Sequence, residues 1–248
     1  MGIFEPKPRI SLGSQEPLEP SMSRRTFVKR VAIVGTTVLA LGGATYTFAS
    51  SEDEKKARAT KRPDGRPRLP PDQYLLERIR PMGGTSGDPS PGGWKVQVSG
   101  DIDNPFTLDF AELLKMPQVE QTCDVHCVTK WTVLDSKWTG VRLADIAARA
   151  KLQKSVRHVI FESTAGYTSN IRIGEALRPE VILAHKYEGS PLARAHGAPV
   201  RAVVPDLYFW KSAKWLTGIR FSNVDRPGYW EVRGYHNHAD PWSEERYG

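Results

Sequence analysis

One residue, Cys127, has the type and setting to do chemistry, in the run Asp-Val-His-Cys-Val-Thr-Lys-Trp from Asp124 to Trp131. The chain has only two cysteines, and this one lies near the end of a predicted strand, Val119–Val128. Trp131, a turn and the run Trp138–Val141 follow it. A thiol in this position can ligate a metal, act as a nucleophile or fill the core.

A disulfide between Cys123 and Cys127 does not fit a regular strand. Four residues at about 3.3 Å each separate their Cα atoms by roughly 13 Å, whereas a disulfide needs Cα atoms within about 7 Å. Cys127 is therefore predicted to be a free thiol. Cys123 lies on the same strand face in this register and is expected to be buried in the core.

A cysteine hydrolase would need a histidine base beside its thiol. His126 is adjacent to Cys127 in sequence, but on a strand it points to the opposite face. His158, His185 and His196 can approach the thiol only through the fold. The sequence therefore gives this alternative weak support.

The sequence also offers few closely spaced ligands for a metal centre built from protein side chains alone. His236 and His238 are the only closely spaced histidines, and a zinc site needs more ligands than these two. The Cys-x-x-Cys-His run of a c-type haem is absent. What remains is Cys127 as one soft ligand to a metal whose other ligands come from a cofactor.

The elements that must position this thiol follow an α+β pattern of many short strands and a few short helices. Trp94, Val96 and Val98 alternate with polar residues, which predicts a half-buried strand. Asp109 and Glu112 form a predicted helix-capping pair. Further strands are predicted over 156–162, 167–173, 181–184, 200–204 and 216–221, and helices over 110–114, 143–150 and 175–177.

The N-terminal fifty residues carry an export pattern. Ser23–Lys29 contains paired arginines in the order Ser-Arg-Arg-x-Phe-x-Lys, and a mildly apolar stretch covers residues 31–49. This pattern predicts a twin-arginine signal over residues 1–50 and a location on the periplasmic or extracellular side. A membrane anchor through residues 31–49 is the alternative.

Charge and composition bound the remaining chain. Residues 51–72 are charged and Pro-rich, which predicts a solvated linker, and residues 73–248 are left as one catalytic domain. The net charge is +7, but lysine and arginine are scattered and no nucleic-acid motif is present, so nucleic acid is not an expected partner. An anionic ligand is a simpler use of the positive charge.

Three motifs carry a resemblance to a known family. They are Cys127–Trp131 followed by Trp138–Leu143, then His196–Pro205, and then Tyr208–Leu216. In this order they make the chain from about Trp94 onward similar to the molybdopterin-binding domain of the sulfite oxidase family. The similarity is strongest to bacterial exported single-domain members such as periplasmic methionine-sulfoxide reductase catalytic subunits. It implies a mixed fold of short sheets with a few short helices.

The resemblance also implies roles for particular residues. Cys127 would be the thiolate ligand of molybdenum in a molybdenum–molybdopterin cofactor. The residues that match the family's other cofactor contacts, mostly to the pterin phosphate, are Arg201, Ser212, Ala213, Lys214, His196, Ser163 or Thr164, and, with a poorer match, Arg78. Lys130 departs from the small residue common in relatives, and it either faces the metal and attracts anions or faces solvent.

The activity implied is two-electron oxygen-atom transfer on a small molecule or a sulfoxide. Electrons would pass to or from a separate partner, a membrane or soluble cytochrome, because the sequence has no haem, flavin or iron–sulfur motif. Two alternatives stay open: a binding module that uses the same fold without turnover, and a secreted cysteine hydrolase acting through Cys127.

Overall fold

Two sheets of short strands hold most of the chain, and the computed structural model describes residues 39–41, 44–46 and 50–248. The predicted twin-arginine motif therefore lies outside the described residues. Of the stretch 31–49, only two three-residue strands are described. Within the described ranges, no helix is long and apolar enough to cross a membrane.

The strands are short, as their spacing in the sequence predicts. In the described residues they are β1 Leu39–Leu41, β2 Ala44–Tyr46, β3 Tyr74–Leu75, β4 Lys95–Gly100, β5 Phe106–Asp109, β6 Gln118–His126, β7 Trp131–Arg142, β8 His158–Ser163, β9 Thr168–Arg172, β10 Ile182–Tyr187, β11 Ser190–Pro191, β12 Arg201–Val203 and β13 Leu216–Ser222.

One sheet has the order β11-β10-β7-β3, with β12 paired to β10 and β6 paired to β7. The other has the order β5-β4-β13-β8-β9. The pairs β3–β7 and β4–β13 are parallel, and the other pairs in these two sheets are antiparallel. The observed architecture confirms the α+β expectation.

The helices are few and short. They are α1 Ser51–Ala59, α2 Phe110–Lys115, α3 Leu143–Ala150 and α4 Ile173–Ala176 in the described part of the chain. The capping pair predicted for α2 is confirmed, because the Asp109 side chain accepts from the Glu112 amide at 2.8 Å and the Glu112 side chain accepts from the Asp109 amide. The apolar face of α3 is buried as its spacing predicts.

The segment 51–72 is not the solvated linker that its charge predicts. It begins with α1, which starts at a capping box formed by Ser50 and Asp53. Ala57 and Leu69 are buried in a small apolar cluster with Leu75. The prediction failed because the charged side chains of this segment conceal a few apolar residues that pack on the domain.

A second correction concerns the strand that leads to the thiol. The predicted strand Val119–Val128 is observed as β6, which ends at His126, so Cys127 lies just beyond it. The β6–β7 register also shifts between Cys123 and Val125. The regular spacing assumed for the two cysteines is therefore broken, yet both are free thiols, as predicted.

The domain has two main apolar clusters, and the smaller one contains the candidate ligand Cys127. The larger contains residues of both sheets and of α2 and α3, among them Val98, Val141, Ile146 and Phe221. The smaller contains Cys127 together with Trp131, Trp138, Val133 and other residues near the six-stranded sheet. The thiol thus borders its own core cluster rather than solvent.

Candidate active site

Cys127 occupies a tight turn between β6 and β7. Its amide donates to the Trp131 carbonyl at 2.8 Å, and its carbonyl accepts from the Lys130 amide at 3.0 Å. Lys130 has φ of +75°, which closes the turn in the left-handed region. The pairing of β6 with β7 therefore fixes the backbone that presents the thiol.

The Cys127 thiol is buried, with 5 % of the residue exposed. Its Sγ lies 3.2 Å from the hydroxyl of Thr129, and Gln73 donates to its carbonyl at 3.2 Å. Burial raises the pKa of the thiol, although the hydroxyl of Thr129 and the charges of Arg80 and Arg246 oppose this rise. Such a thiol stays protonated at neutral pH until a cation draws off its proton.

No hydrogen bond joins a histidine to Cys127 among the described residues. The neighbouring His126 is fully buried and bonds Thr132 through Nδ1 at 2.9 Å, and burial lowers its pKa to about 3. His185 is bonded to Gln118 at 2.9 Å. The described residues therefore show no histidine hydrogen-bonded to the thiol, which is the arrangement expected of a cysteine hydrolase.

A cluster of three basic side chains forms the second half of the site. Arg201, on β12, is 2 % exposed and donates to the carbonyls of His196 at 3.0 Å, Ala202 at 3.2 Å and Ser212 at 2.7 Å. In the described part of the chain no carboxylate pairs with it. Burial lowers the pKa of Arg201 to about 9, so the site bears a buried cation without its counterion.

Lys214 and His196 complete this basic cluster. The Lys214 ammonium donates to the carbonyls of Met82 and Ala195. Burial, followed by the charge of Arg201, lowers the pKa of Lys214 to about 8 and that of His196 to about 4. Both shifts have burial as their main cause, and the charge of Arg201 adds to them.

Gly197 lets the basic side chains approach one another. It has φ of +106°, and a Cβ at this position would lie 3.0 Å from the Cβ of Lys214 and 3.1 Å from the Cβ of Arg201. A side chain here would be strained by its backbone and would push the two cations apart. The glycine of the His-Gly-x-Pro-x-Arg run therefore allows Lys214 and Arg201 to approach closely, and the arginine of the run supplies hydrogen-bond donors.

The two halves of the site meet at an aromatic wall. The Arg201 guanidinium lies 4.2 Å from the centroid of the Phe209 ring and 5.5 Å from that of Trp138. Trp138 belongs to the same apolar cluster as Cys127, and Phe209 packs against that cluster. The fold therefore brings the thiol and the cations to one apolar cluster.

The predicted hydroxyl contacts have different settings. Ser163 ends β8 with 6 % of its surface exposed, and its Oγ is buried without a hydrogen-bond partner in the described structure. The Thr164 hydroxyl instead donates to the Thr85 carbonyl at 2.8 Å. Of the two alternatives, Ser163 is the one whose hydroxyl is available to a ligand.

The remaining predicted residues differ in burial and in their distance from the basic cluster. Ser212 and Ala213 are buried, and the Ser212 hydroxyl accepts from the Val204 amide at 2.9 Å. Arg78 is exposed after β3, and the structure does not join it to the basic cluster. Lys130 is half-exposed and pairs with Asp72 at 2.6 Å, which favours the solvent-facing alternative for its side chain.

Sequence reasoning missed Arg246, the cation that reaches the Cys127 turn. Its Nη1 donates to the Val128 carbonyl at 2.5 Å across 118 residues of sequence. It also missed the buried ion pair of Lys211 and Glu231, whose charged atoms are 2.5 Å apart. Arg246 and Glu231 lie in the aromatic tail and Lys211 lies in the Tyr208–Leu216 motif, and nothing in these sequence runs indicates which residues the three side chains contact.

A buried thiol in a strand-end turn and a buried, carboxylate-free basic cluster define a class: domains that hold an anionic cofactor with a soft ligand. The family profile described as the oxidoreductase molybdopterin binding domain matches residues 84–230. The chain belongs to this family, and it is an oxidoreductase domain of the sulfite oxidase type.

Curated relatives agree with this assignment. The chain is 44 % identical over 154 residues to the uncharacterized oxidoreductase YuiH of Bacillus subtilis, covering 62 % of this chain and 78 % of that protein. It is 32 % identical to the protein-methionine-sulfoxide reductase catalytic subunit MsrP of Ralstonia nicotianae, covering 63 % of this chain and 53 % of MsrP. It is 29 % identical to mitochondrial sulfite oxidase of Rattus norvegicus, covering 68 % of this chain and 33 % of the sulfite oxidase. The matched region thus spans about half of the MsrP relative and a third of the sulfite oxidase.

A solved structure shows the same fold. The sulfane dehydrogenase SoxCD of Paracoccus pantotrophus superposes with a TM-score of 0.53 at 15 % identity, covering 90 % of this chain and 66 % of the SoxCD chain. At this identity the likeness concerns the fold alone. It confirms the predicted mixed sheets with few short helices.

Proposed function

We propose that this protein is a molybdenum–molybdopterin oxidoreductase that performs two-electron oxygen-atom transfer. The observation that carries the proposal is the buried Arg201 cation, which within the described residues donates to carbonyls alone and lies beside Lys214 and His196. A buried cation without a counterion is costly. The anionic phosphate of a pterin cofactor would supply the missing charge.

The residues present fit this cofactor on two further counts. The Ser163 hydroxyl is buried and unpartnered, so it can bond a ligand atom. Cys127 offers a soft sulfur in a turn fixed by two backbone hydrogen bonds. Arg201, Lys214, His196 and Ser163 would therefore hold the pterin.

Cys127 would ligate the metal, and its environment determines what that binding requires. Burial keeps the thiol protonated in the metal-free protein, so ligation releases its proton. When bound, the cofactor supplies the two-electron change that lets an oxygen atom enter or leave a substrate. Trp131 and Trp138 are almost fully buried around the thiol and exclude water from its inner side.

We further propose that the protein works outside the cytoplasm with a separate electron carrier. The Ser-Arg-Arg-x-Phe-x-Lys run supports twin-arginine export, and residues 31–49 could serve as an anchor. Methionine-sulfoxide reductase subunits among its relatives support a sulfoxide or another small oxygen-bearing substrate. A membrane or soluble cytochrome is the partner class that this chemistry needs.

Metal analysis joined to a substrate screen tests the proposal. Protein expressed with an intact cofactor supply should contain molybdenum and should reoxidise a reduced dye with a sulfoxide or an N-oxide, or reduce an acceptor with sulfite. Cys127→Ser should abolish turnover, while Cys123→Ser, the matched control, should retain it. Wild-type protein that lacks molybdenum would support a binding module instead, and full turnover in Cys127→Ser would contradict the assigned ligand.

A further inference from the structure

The C-terminal segment after Trp230 lies beyond the matched family region, yet it returns to the Cys127 turn. Arg246 is 8 % exposed, and its Nη1 donates to the Val128 carbonyl at 2.5 Å. Its guanidinium carbon lies 5.0 Å from the centroid of the Tyr208 ring. A side chain near the end of the chain thus contacts the residue that follows the thiol.

Arg246 makes no hydrogen-bonded ion pair with an acid among the described residues. The acid nearest to it in the described structure is Glu244, whose oxygen is 3.9 Å from Nη2 and too distant for a hydrogen bond. Nη2 is buried and lacks a hydrogen-bond partner among the described residues.

A clasp fixes the segment that carries Arg246. Trp242 contacts two N-terminal arginines, with the guanidinium carbons of Arg62 and Arg66 at 4.2 and 4.1 Å from its ring centroid. Its indole nitrogen donates to the Pro67 carbonyl at 2.7 Å. The same ring packs edge-on against His126 at 5.0 Å between centroids. Two segments outside residues 84–230 therefore join beside the strand that ends at the thiol.

We propose that Arg246 is a positioning residue for Cys127: it holds the Cys127–Lys130 turn through the Val128 carbonyl and places a permanent positive charge beside the thiolate. The charge role rests on the function proposed above, whereas the turn role concerns the protein without metal. Because a nearby cation favours added negative charge, Arg246 should favour the reduced state of the bound centre.

The turn role is tested in metal-free protein by amide hydrogen exchange. Arg246→Gln should speed exchange at the Lys130 amide several-fold, because the Lys130 bond to the Cys127 carbonyl loses its support. Arg233→Gln removes an exposed arginine of the same segment and should leave this exchange unchanged. Equal exchange in wild type and Arg246→Gln would overturn the turn role.

The charge role is tested in molybdenum-loaded protein by the midpoint potential of the metal. Arg246→Gln should shift the potential to more negative values, and Arg246→Lys should restore it because the charge is kept. Trp242→Phe loosens the clasp but keeps Arg246, so it should shift the potential less than Arg246→Gln. A lysine variant that behaves like the glutamine variant, or an unchanged potential in both, would overturn the charge role. Wild-type protein without molybdenum would refute the proposed function and leave the exchange result to judge the turn role.

Discussion

At the scale of single residues, the site depends on charges that the protein leaves unbalanced. Arg201 is buried with no carboxylate partner in the part of the chain that the structure describes, and Lys214 and His196 have lowered pKa values beside it. A structural arginine in a core would normally be paired, since burying a lone cation is costly. The protein tolerates this cost where a ligand anion is expected.

The lowered pKa of Lys214 predicts how phosphate affinity depends on pH. With a pKa of about 8 in the ligand-free protein, Lys214 is charged below pH 8 and progressively neutral above it. Binding of a phosphate-bearing pterin to cofactor-free protein should therefore weaken as pH rises through 8. Calorimetric titration at several pH values measures this decline.

Lys214→Arg is the matched control for this effect, because arginine keeps its charge over the same range. Its phosphate affinity should fall clearly less than that of the wild type between pH 7 and 8, because Arg201, with its pKa lowered to about 9, still keeps most of its charge there. A parallel decline in wild type and Lys214→Arg would place the titrating group elsewhere.

The predictability of the site also differs between residues. The motifs around Cys127, Arg201 and Lys214 are local in sequence, so their resemblance to the family's motifs grouped them as one predicted cofactor site. Arg246 could not be grouped, because its contact with Val128 spans 118 residues and depends on the path of the tail. Arg78 was a prediction based on a weak match, and its side chain is exposed.

At the scale of elements, apolar periodicity predicted α3 and most strands within a few residues. The end of β6 was placed two residues too late, because Cys127 and Val128 are as apolar as a strand requires while the chain has already turned. A turn closed by Lys130 in the left-handed region has no strong residue signal, since lysine is an unusual choice there.

A histidine latch between the tail and α4 should make stability depend on pH. His238 bonds Glu175 at 2.7 Å and Glu245 at 2.8 Å. The bond to Glu175 is the main reason that the pKa of His238 is raised. Burial opposes the lowered pKa values of Glu175 and Glu245, while hydrogen bonds and the histidine charge lower them.

The sign follows from these directions. The His238 contribution is complete below its unfolded pKa of about 6.5 and is lost as pH rises through the higher folded value. The glutamate contributions are lost as pH falls through their lowered folded values, below about 4.5. The melting temperature should therefore fall from pH 6 to pH 8 more steeply in wild type than in His238→Gln. An equal dependence of melting temperature on pH in the two proteins would show that the His238 contacts do not contribute to this pH dependence.

At the scale of the whole molecule, segments on both sides of the matched domain are part of the folded unit. Residues 50–76 contribute α1, a buried cluster and the bidentate pair of Arg68 with Asp124, both of whose bonds are 2.7 Å long. Composition could not reveal this packing, because the segment resembles a linker in charge and proline content. Only the packing of a few apolar residues, such as Ala57 and Leu69, distinguishes this folded segment from a solvated linker.

Truncation tests this larger unit. A chain that starts at residue 50 keeps the contacts of α1 and is the reference. A chain that starts at residue 73 should melt at a clearly lower temperature, since Leu75 loses its apolar partners and Asp124 loses Arg68. Equal melting temperatures would show that residues 50–72 add no stability.

X-ray absorption at the molybdenum edge tests whether Cys127 ligates the metal, because it counts the sulfur atoms bound to molybdenum. Wild-type protein and Cys127→Ser are compared after loading with the same cofactor, and Cys123→Ser serves as the control. We expect one sulfur neighbour fewer in Cys127→Ser and no change in Cys123→Ser. An unchanged sulfur count in Cys127→Ser, or no molybdenum in the wild type, would show that Cys127 is not a molybdenum ligand in this protein.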